Sequence, residues 1–566
     1  MKKTLSIAIF LLALGANAQQ RLETTVFTRA DSLRGMLTPF RTCYDVTYEH
    51  LDVRIDHEKK FVSGSNRIFF RAMEDFSVLQ VDLFENMEIE SMDLDGRLPV
   101  SFKRELGAVF VEMPSKITKG SFHELKISYS GSPQEAANPP WDGGFTWTKD
   151  QQANPWVAVT CQGTGASLWW PNKDHQSDEP DSILLSVTVA PGLQDVSNGR
   201  LRSKTVLPDG WTRFDWFISY PINNYNVTVN IGKFDHFGKV FKGEESEYTL
   251  DYYVKPGNLD KATAQFRQVK PMLKCYEGLF GPYPFARDGY KLVESPHLGM
   301  EHQSAVAYGN SYLQGYRGRA SSPVGLKFDF IIIHETAHEW WGNSVTSEDI
   351  ADMWIHESFG AYAEALYVEC LYGREDALAY VNGKKFNVRN DKPIIGVYGV
   401  HERGSGDMYD KGQLVLNTLR SVIDNDTLWF SIIKGLAGEF RLKIVTAEDI
   451  FGYINKRTGS DYSYFFDQYF RKANIPSLQI FLTKKGEEVT ARYRWIADVE
   501  NFRMPVKVTT AKGKFGVIEP TADWKTSTLN LKDLSEFRVA EDLFLINVRL
   551  TRSYLDPAAP ESPGRR

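Results

Sequence analysis

The sequence predicts a multidomain α+β protein: an N-terminal antiparallel β domain, a helix-rich α/β domain, and a small C-terminal β-sandwich. Three observations predict it. The chain has 566 residues, 42% apolar and 24% charged, a globular balance at a length suited to about three domains. Apolar residues alternate with period two from about Tyr44 to Phe237, and again from Leu478. Between these stretches, after Tyr253, the apolar period becomes helical.

In chain order, Lys2 and Lys3 precede a short apolar run and then Ala16-Asn17-Ala18. This predicts a signal peptide over 1–18, cleaved after Ala18, and a mature chain that is periplasmic or secreted. The run falls well short of the ~20 residues that cross a bilayer, so no membrane span is expected. Residues 19–240 read as the β domain, with Leu51, Val53 and Ile55, then Leu185, Val187 and Val189, alternating with polar neighbours. Within it, residues 138–171 hold Trp141, Trp147, Trp156, Trp169 and Trp170, which predicts packing against another domain or a substrate-lining wall. Residues 241–474 carry helical patterns at 259–279, 328–341, 356–371, 413–423 and 446–456. The last has Thr446 and Asp449 as a capping box and Gly459 past its end. Residues 475–555 form the sandwich, and three Pro in 556–566 predict a disordered tail. Cys43, Cys161, Cys275 and Cys370 lie far apart without a CxxC pair; they read as buried free thiols, with a bridge left open in an oxidising compartment. With 66 basic and 72 acidic residues and a net charge of −6, no nucleic-acid partner is expected.

The chemistry concentrates in His334-Glu335-Thr336-Ala337-His338. Two imidazoles at i and i+4 on one helix face can reach a single zinc ion, and Glu335, beside the first, can act as general base toward a water. A catalytic zinc takes three protein ligands and keeps one position open, so a third ligand should follow. Glu357, with eighteen residues between it and His338, is the candidate, and Asp349, Asp352, His356 and Glu364 compete with it. Glu364, two turns beyond Glu357, suits the role of acceptor for a ligand imidazole.

His334-Glu335-Thr336-Ala337-His338, the spacing to Glu357 and the flanking Trp341-Gly342-Asn343 resemble the zinc metallopeptidases of the aminopeptidase N and leukotriene hydrolase family. Leu298-Gly299-Met300-Glu301-His302 is similar to that family's Gly-x-Met-Glu-Asn, with Leu298 and His302 departing from it. The resemblance implies that Glu301 binds the peptide's α-amine, with Gly299 and Met300 beside the substrate. Tyr409-Asp410-Lys411-Gly412 resembles Tyr-x-Lys-Gly, which makes Tyr409 the oxyanion stabiliser. Val159-Thr160-Cys161-Gln162-Gly163, with Asp178-Glu179-Pro180 downstream, resembles the family's Gln-containing segment, so Gln162 becomes a second contact to the substrate's N-terminus. The resemblance spans roughly 44–472. It implies a β domain, a thermolysin-like catalytic domain and a following sandwich, and the length leaves no room for the family's large C-terminal helical domain.

The expected function is therefore a zinc aminopeptidase with one Zn²⁺ per chain, acting on peptides with a free N-terminus. A thermolysin-like endopeptidase is the nearest rival, distinguished by lacking an anionic end-stop such as Glu301. An epoxide hydrolase on the same zinc lies within the resemblance, but no residue singles it out. A non-catalytic peptide- or glycan-binding protein on a peptidase scaffold is the rival from another class. Oligomeric state has no sequence signal.

Overall fold

The computed structural model describes residues 26–555. The expected signal peptide and C-terminal tail lie outside the described residues. The first region is built on an eight-stranded sheet. At its centre, strand Tyr44–Asp56 pairs antiparallel with Phe61–Ala72 and parallel with Ile183–Val189. Among the described strands of this sheet, only that last pair departs from the antiparallel expectation. The long connection between the two strands, which carries the Trp-rich stretch, brings the chain back to the same end of the sheet, and a strand entering there must run parallel. A three-stranded and a four-stranded sheet cover the large one and share its core.

The aromatic stretch divides between its two expected fates. Trp169 and Trp170 are fully buried in the core of the β region, whereas Trp141 is half-exposed and faces the cavity described below.

The second region opens with hairpin strands Asp235–Lys242 and Glu247–Val254, which join Tyr290–Glu294, Val306–Tyr308 and the edge strand Gly299–Met300 in a five-stranded sheet. The boundary expected at 240 thus falls inside a strand, because the period-two pattern continues into the catalytic sheet. The helix expected at 259–279 is divided into Leu259–Gln265, a 3-10 turn and Val269–Phe280. Pro271 sits in the first turn of the second helix, where its missing N–H costs nothing but where it prevents one continuous helix. Helix Phe330–Ala337 is shorter than the 328–341 pattern, yet His338 just beyond it keeps φ −64° and ψ −18°, so its ring stays in line with His334. Helix Trp354–Tyr372 is buried from Trp354 through Val368, as a central helix surrounded by others must be.

The last region has a four-stranded sheet, Lys525–Leu529, Glu488–Ile496, Ser477–Lys485 and Asn547–Leu555, and the pair Val506–Ala511 and Lys514–Ile518. Its apolar face continues the core of the catalytic helices. Tyr469 Oη donates to Leu545 O at 2.7 Å, and Leu545 N donates to Thr418 Oγ1 at 2.8 Å. The change near 474 is therefore one of secondary structure within a shared core. No helix among the described residues is long and apolar enough to cross a membrane.

The free-thiol expectation is corrected for two cysteines. Cys275 and Cys370, 6.3 Å apart at Cα, form a disulfide between helices Val269–Phe280 and Trp354–Tyr372, while Cys43 and Cys161 are buried and free. Ninety-five residues separate the pair in sequence, so spacing gave no hint; the bond depends on the two helices packing side by side. A loop of this length, closed in the unfolded chain, should stabilise the fold by about 2–5 kcal/mol. Replacing both cysteines with Ser should lower Tm measurably in thermal unfolding, and an unchanged Tm would show that the bond adds no stability.

Candidate active site

Three side chains converge where helix Phe330–Ala337 meets helix Trp354–Tyr372. His334 Nε2 and His338 Nε2 face each other at 3.3 Å, and Glu357 Oε2 lies 3.8 Å from the first and 3.5 Å from the second. All three residues are buried. The outer nitrogens are committed elsewhere: His334 Nδ1 to Glu364 Oε1 at 2.7 Å, and His338 Nδ1 to Trp341 O at 2.9 Å. Both Nε2 atoms are thereby aimed at one point. Ligand atoms at ~2.0 to 2.1 Å around a tetrahedral zinc lie about 3.3 Å apart, close to the observed separations. Glu357 Oε2, buried and without any hydrogen-bond partner, also calls for a cation. The residues present fit one zinc ion.

The competing acids have other tasks. Asp349 accepts from the amides of Ala351 and Gly399, and Asp352 from Ala447 N, Trp354 Nε1 and Tyr398 Oη. His356 Nε2 is occupied as well, accepting from Ser347 N at 2.9 Å. Glu364, held also by Tyr380 Oη at 2.5 Å, orients the His334 ring.

Glu335 projects toward edge strand Gly299–Met300. A Cβ on Gly299 would come within 2.7 Å of Glu335 Oε1 and of Ile331 Cγ2, so only glycine lets the strand approach the histidine helix this closely. Glu301 follows on the same strand edge and is 2% exposed. Gln162 Nε2 donates to Glu301 Oε1 at 2.5 Å and to Glu357 Oε1 at 3.0 Å, linking the β region to the triad. Tyr225 Oη donates to the same Glu301 oxygen at 3.2 Å. Sequence reasoning missed Tyr225, which lies in a short 3-10 turn with nothing in its pattern to distinguish it. Glu339 and Asn343 were also missed as supports: Asn343 Nδ2 bonds both Glu339 Oε1 and the Glu301 carbonyl. The Trp-Gly-Asn flank was the available signal.

The triad, Glu335, Glu301 and Gln162 line a cavity of about 300 Å³ with Leu298, Met300, Trp141, Tyr316, Phe330, Arg403 and Tyr409. All nine residues proposed from sequence reach it, whereas His302 does not and stays buried beside it. The electrostatics follow from crowding. Burial, with Glu357 adding to it against His338, pushes Glu301 up. Burial likewise raises Glu335 well above the carboxylate range, helped by Glu301 and Glu357 and opposed by His334. Burial pushes the His334 imidazole down, but Glu364 and the nearby carboxylates outweigh it and hold it at about 9. Tyr409 is raised by burial and by the charge of Glu357, with Arg403 opposing.

The model of the peptidase family M1 domain matches residues 265–469, which contain the triad, Glu301 and Tyr409. The chain carries an M1 peptidase domain. Mouse endoplasmic reticulum aminopeptidase 1 is 24% identical over 343 residues, covering 58% of this chain and 36% of that protein. Leukotriene A-4 hydrolase of Xenopus laevis is 21% identical over 452 residues, covering 75% and 69%. The chain thus spans little more than a third of the aminopeptidase it matches. The crystal structure of an M1 zinc metallopeptidase from Deinococcus radiodurans superposes with TM-score 0.63 at 19% identity, covering 76% of this chain and 94% of that one. A two-domain M1 zinc metallopeptidase bound to L-tryptophan superposes with TM-score 0.66 at 20% identity, covering 79% and 98%. The M1 fold therefore extends beyond the matched segment into the β region.

If Glu357 completes the M1 metal site, Glu357→Gln should fold normally but retain much less zinc, since a neutral amide is a weak ligand. Elemental analysis of the purified variant checks this, and full occupancy would transfer the third position to another acid.

Proposed function

We propose that this chain is a zinc aminopeptidase that removes the N-terminal residue from peptides. The observation that carries the reading is the buried Glu301 carboxylate, held by Gln162 and Tyr225 in the same cavity as His334, His338 and Glu357. An anionic group beside the reacting centre binds a substrate ammonium and blocks further chain on that side, which sets cleavage at the first peptide bond.

His334, His338 and Glu357 would hold the ion, which when bound supplies Lewis acidity to the scissile carbonyl and to the attacking water. Glu335 takes the proton from that water as its oxygen adds to the carbonyl carbon. The same carboxyl then gives the proton to the departing amide nitrogen, so the C–N bond breaks to a free amino acid and a shortened peptide. Tyr409 lines the cavity by His334 with its hydroxyl protonated, able to donate to the oxygen that gains charge. Gln162 fixes the spacing between ammonium site and metal site, because its one amide touches both carboxylates. A structure described as a Deinococcus radiodurans M1 zinc metallopeptidase mutant bound to a Tyr-Ser-Ala substrate superposes with TM-score 0.63, which supports a peptide of this kind here.

We also propose export, on the Lys2 and Lys3 start and Ala16-Asn17-Ala18 site. The Cys275–Cys370 bond supports it, since structural disulfides persist mainly in oxidising compartments.

Blocking the amine removes a charge-assisted hydrogen bond, so N-acetylation of a good peptide should reduce kcat/KM about 10- to 100-fold or more. Glu301→Ala should shrink that difference while keeping its zinc. Cleavage of the acetylated peptide at an equal rate, or at internal bonds, would replace this reading with an endopeptidase. Glu335→Gln should retain zinc and lose roughly 10²- to 10⁴-fold in kcat; near-normal turnover would remove Glu335 as the base.

A further inference from the structure

Among the described residues, Arg403 is the only Lys or Arg side chain that lines the active-site cavity, whose other charged walls are the carboxylates of Glu301, Glu335 and Glu357 and two imidazoles. Among the described residues its guanidinium has no carboxylate within 4.0 Å and no hydrogen-bond acceptor. The acids nearby are already engaged: Glu301 with Gln162 and Tyr225, Glu357 with Gln162 and the histidines. Arg403 Nη1 lies 4.0 Å from where a Cβ on Gly163 would stand, on the wall that carries Gln162.

An exposed arginine is usually a solvated surface charge, but this one rises from a pinned loop. Gly404 leaves no room for a side chain, since a Cβ there would stand 1.6 Å from Ile394 O. Ser405 N donates to Pro393 O at 2.8 Å, and Gly396 N to Ala351 O at 2.9 Å. On the other flank, His401 N donates to Asp31 O at 3.1 Å, and His401 Nε2 lies 2.5 Å from Gly163 O. The loop is thus tied to helix Trp354–Tyr372 through the turn before it, to the N-terminal segment, and to the loop that follows Gln162. A planar fork of donors on a fixed loop, unpaired, matches a carboxylate through two parallel hydrogen bonds.

We propose that Arg403 is a specificity-determining residue that binds a carboxylate of the substrate while Glu301 and Gln162 hold its ammonium. The proposal rests on the aminopeptidase reading. Two carboxylates could reach a guanidinium on this wall: the side chain of an N-terminal Asp or Glu, or the C-terminal carboxylate of a dipeptide. In either case the substrate's opposite charges are read by opposite charges in one cavity, and neutral substrates gain nothing from Arg403.

The test measures kcat/KM for the full chain, its Arg403→Gln variant and its Arg403→Lys variant, after equal zinc content has been confirmed. Glutamyl and leucyl p-nitroanilide form one pair, and Leu-Gly and Leu-Gly-amide the other. Arg403→Gln should lower the glutamyl-to-leucyl ratio or the acid-to-amide ratio by about 10- to 100-fold. The pair that responds identifies which carboxylate is read, and Arg403→Lys should recover part of the loss. Both ratios unchanged, or all four substrates slowed alike, would overturn the proposal. Thermal stabilisation by L-glutamate against L-leucine, and by Leu-Gly against Leu-Gly-amide, reads the same two preferences without turnover. Failure of the parent protein to cleave any of the four would therefore count against the aminopeptidase reading, while Arg403 would still stand or fall on the binding ratios.

Discussion

The site depends on keeping four carboxylates, Glu301, Glu335, Glu357 and Glu364, in one nearly dry region, each at most 8% exposed. Burying several like charges is costly unless each finds a partner. Glu364 has His334, Tyr380 and the Lys384 ammonium 3.9 Å away, and ends up more acidic than usual despite its burial. Glu301 has two neutral donors and remains raised. Glu357 is left with one oxygen facing only two imidazole nitrogens, and a divalent cation is the partner that resolves that arrangement. The metal site is in this sense the point at which the surrounding charge is balanced.

Close packing delivers these groups, and glycine permits it at two points. Gly299 lets the edge strand lie against the histidine helix, and Gly360 lets the next helix pass under the His338 ring, where a Cβ would come within 2.9 Å of Cε1. Ser358, one residue past Glu357, donates to Met408 O at 2.7 Å, so the helix that carries Glu357 also fixes the turn that carries Tyr409. The β region contributes Gln162 from a loop and Tyr225 from a 3-10 turn. The cavity therefore exists only where the two regions meet, and its chemistry belongs to neither alone.

Much of this was legible because local rules and site chemistry coincide in the histidine helix. The i, i+4 spacing fixes which two rings face one ion, and the residue between them must lie alongside. Glu364 could be read as the acceptor for a ligand imidazole from its helical offset to Glu357, but that this ring is His334 needed the structure. Contacts that depend on two distant segments meeting were not legible: the Cys275–Cys370 bond, Tyr225 on Glu301, and Arg403 on the wall of Gln162. The parallel strand pair and the strand across residue 240 were missed because period two reports alternation but not the partner. Gln162, Glu301 and Tyr409 came from resemblance to a family, and without it each would have read as an ordinary polar residue of its element.

X-ray absorption at the zinc edge of the purified full chain is the most direct test of the charge-balance account. It predicts one zinc per chain, bound by two imidazole nitrogens and carboxylate oxygen with no sulfur, and a much weaker zinc edge per protein in Glu357→Gln. A protein that folds without zinc and takes up none, or a zinc bound through sulfur or a single imidazole, would contradict it.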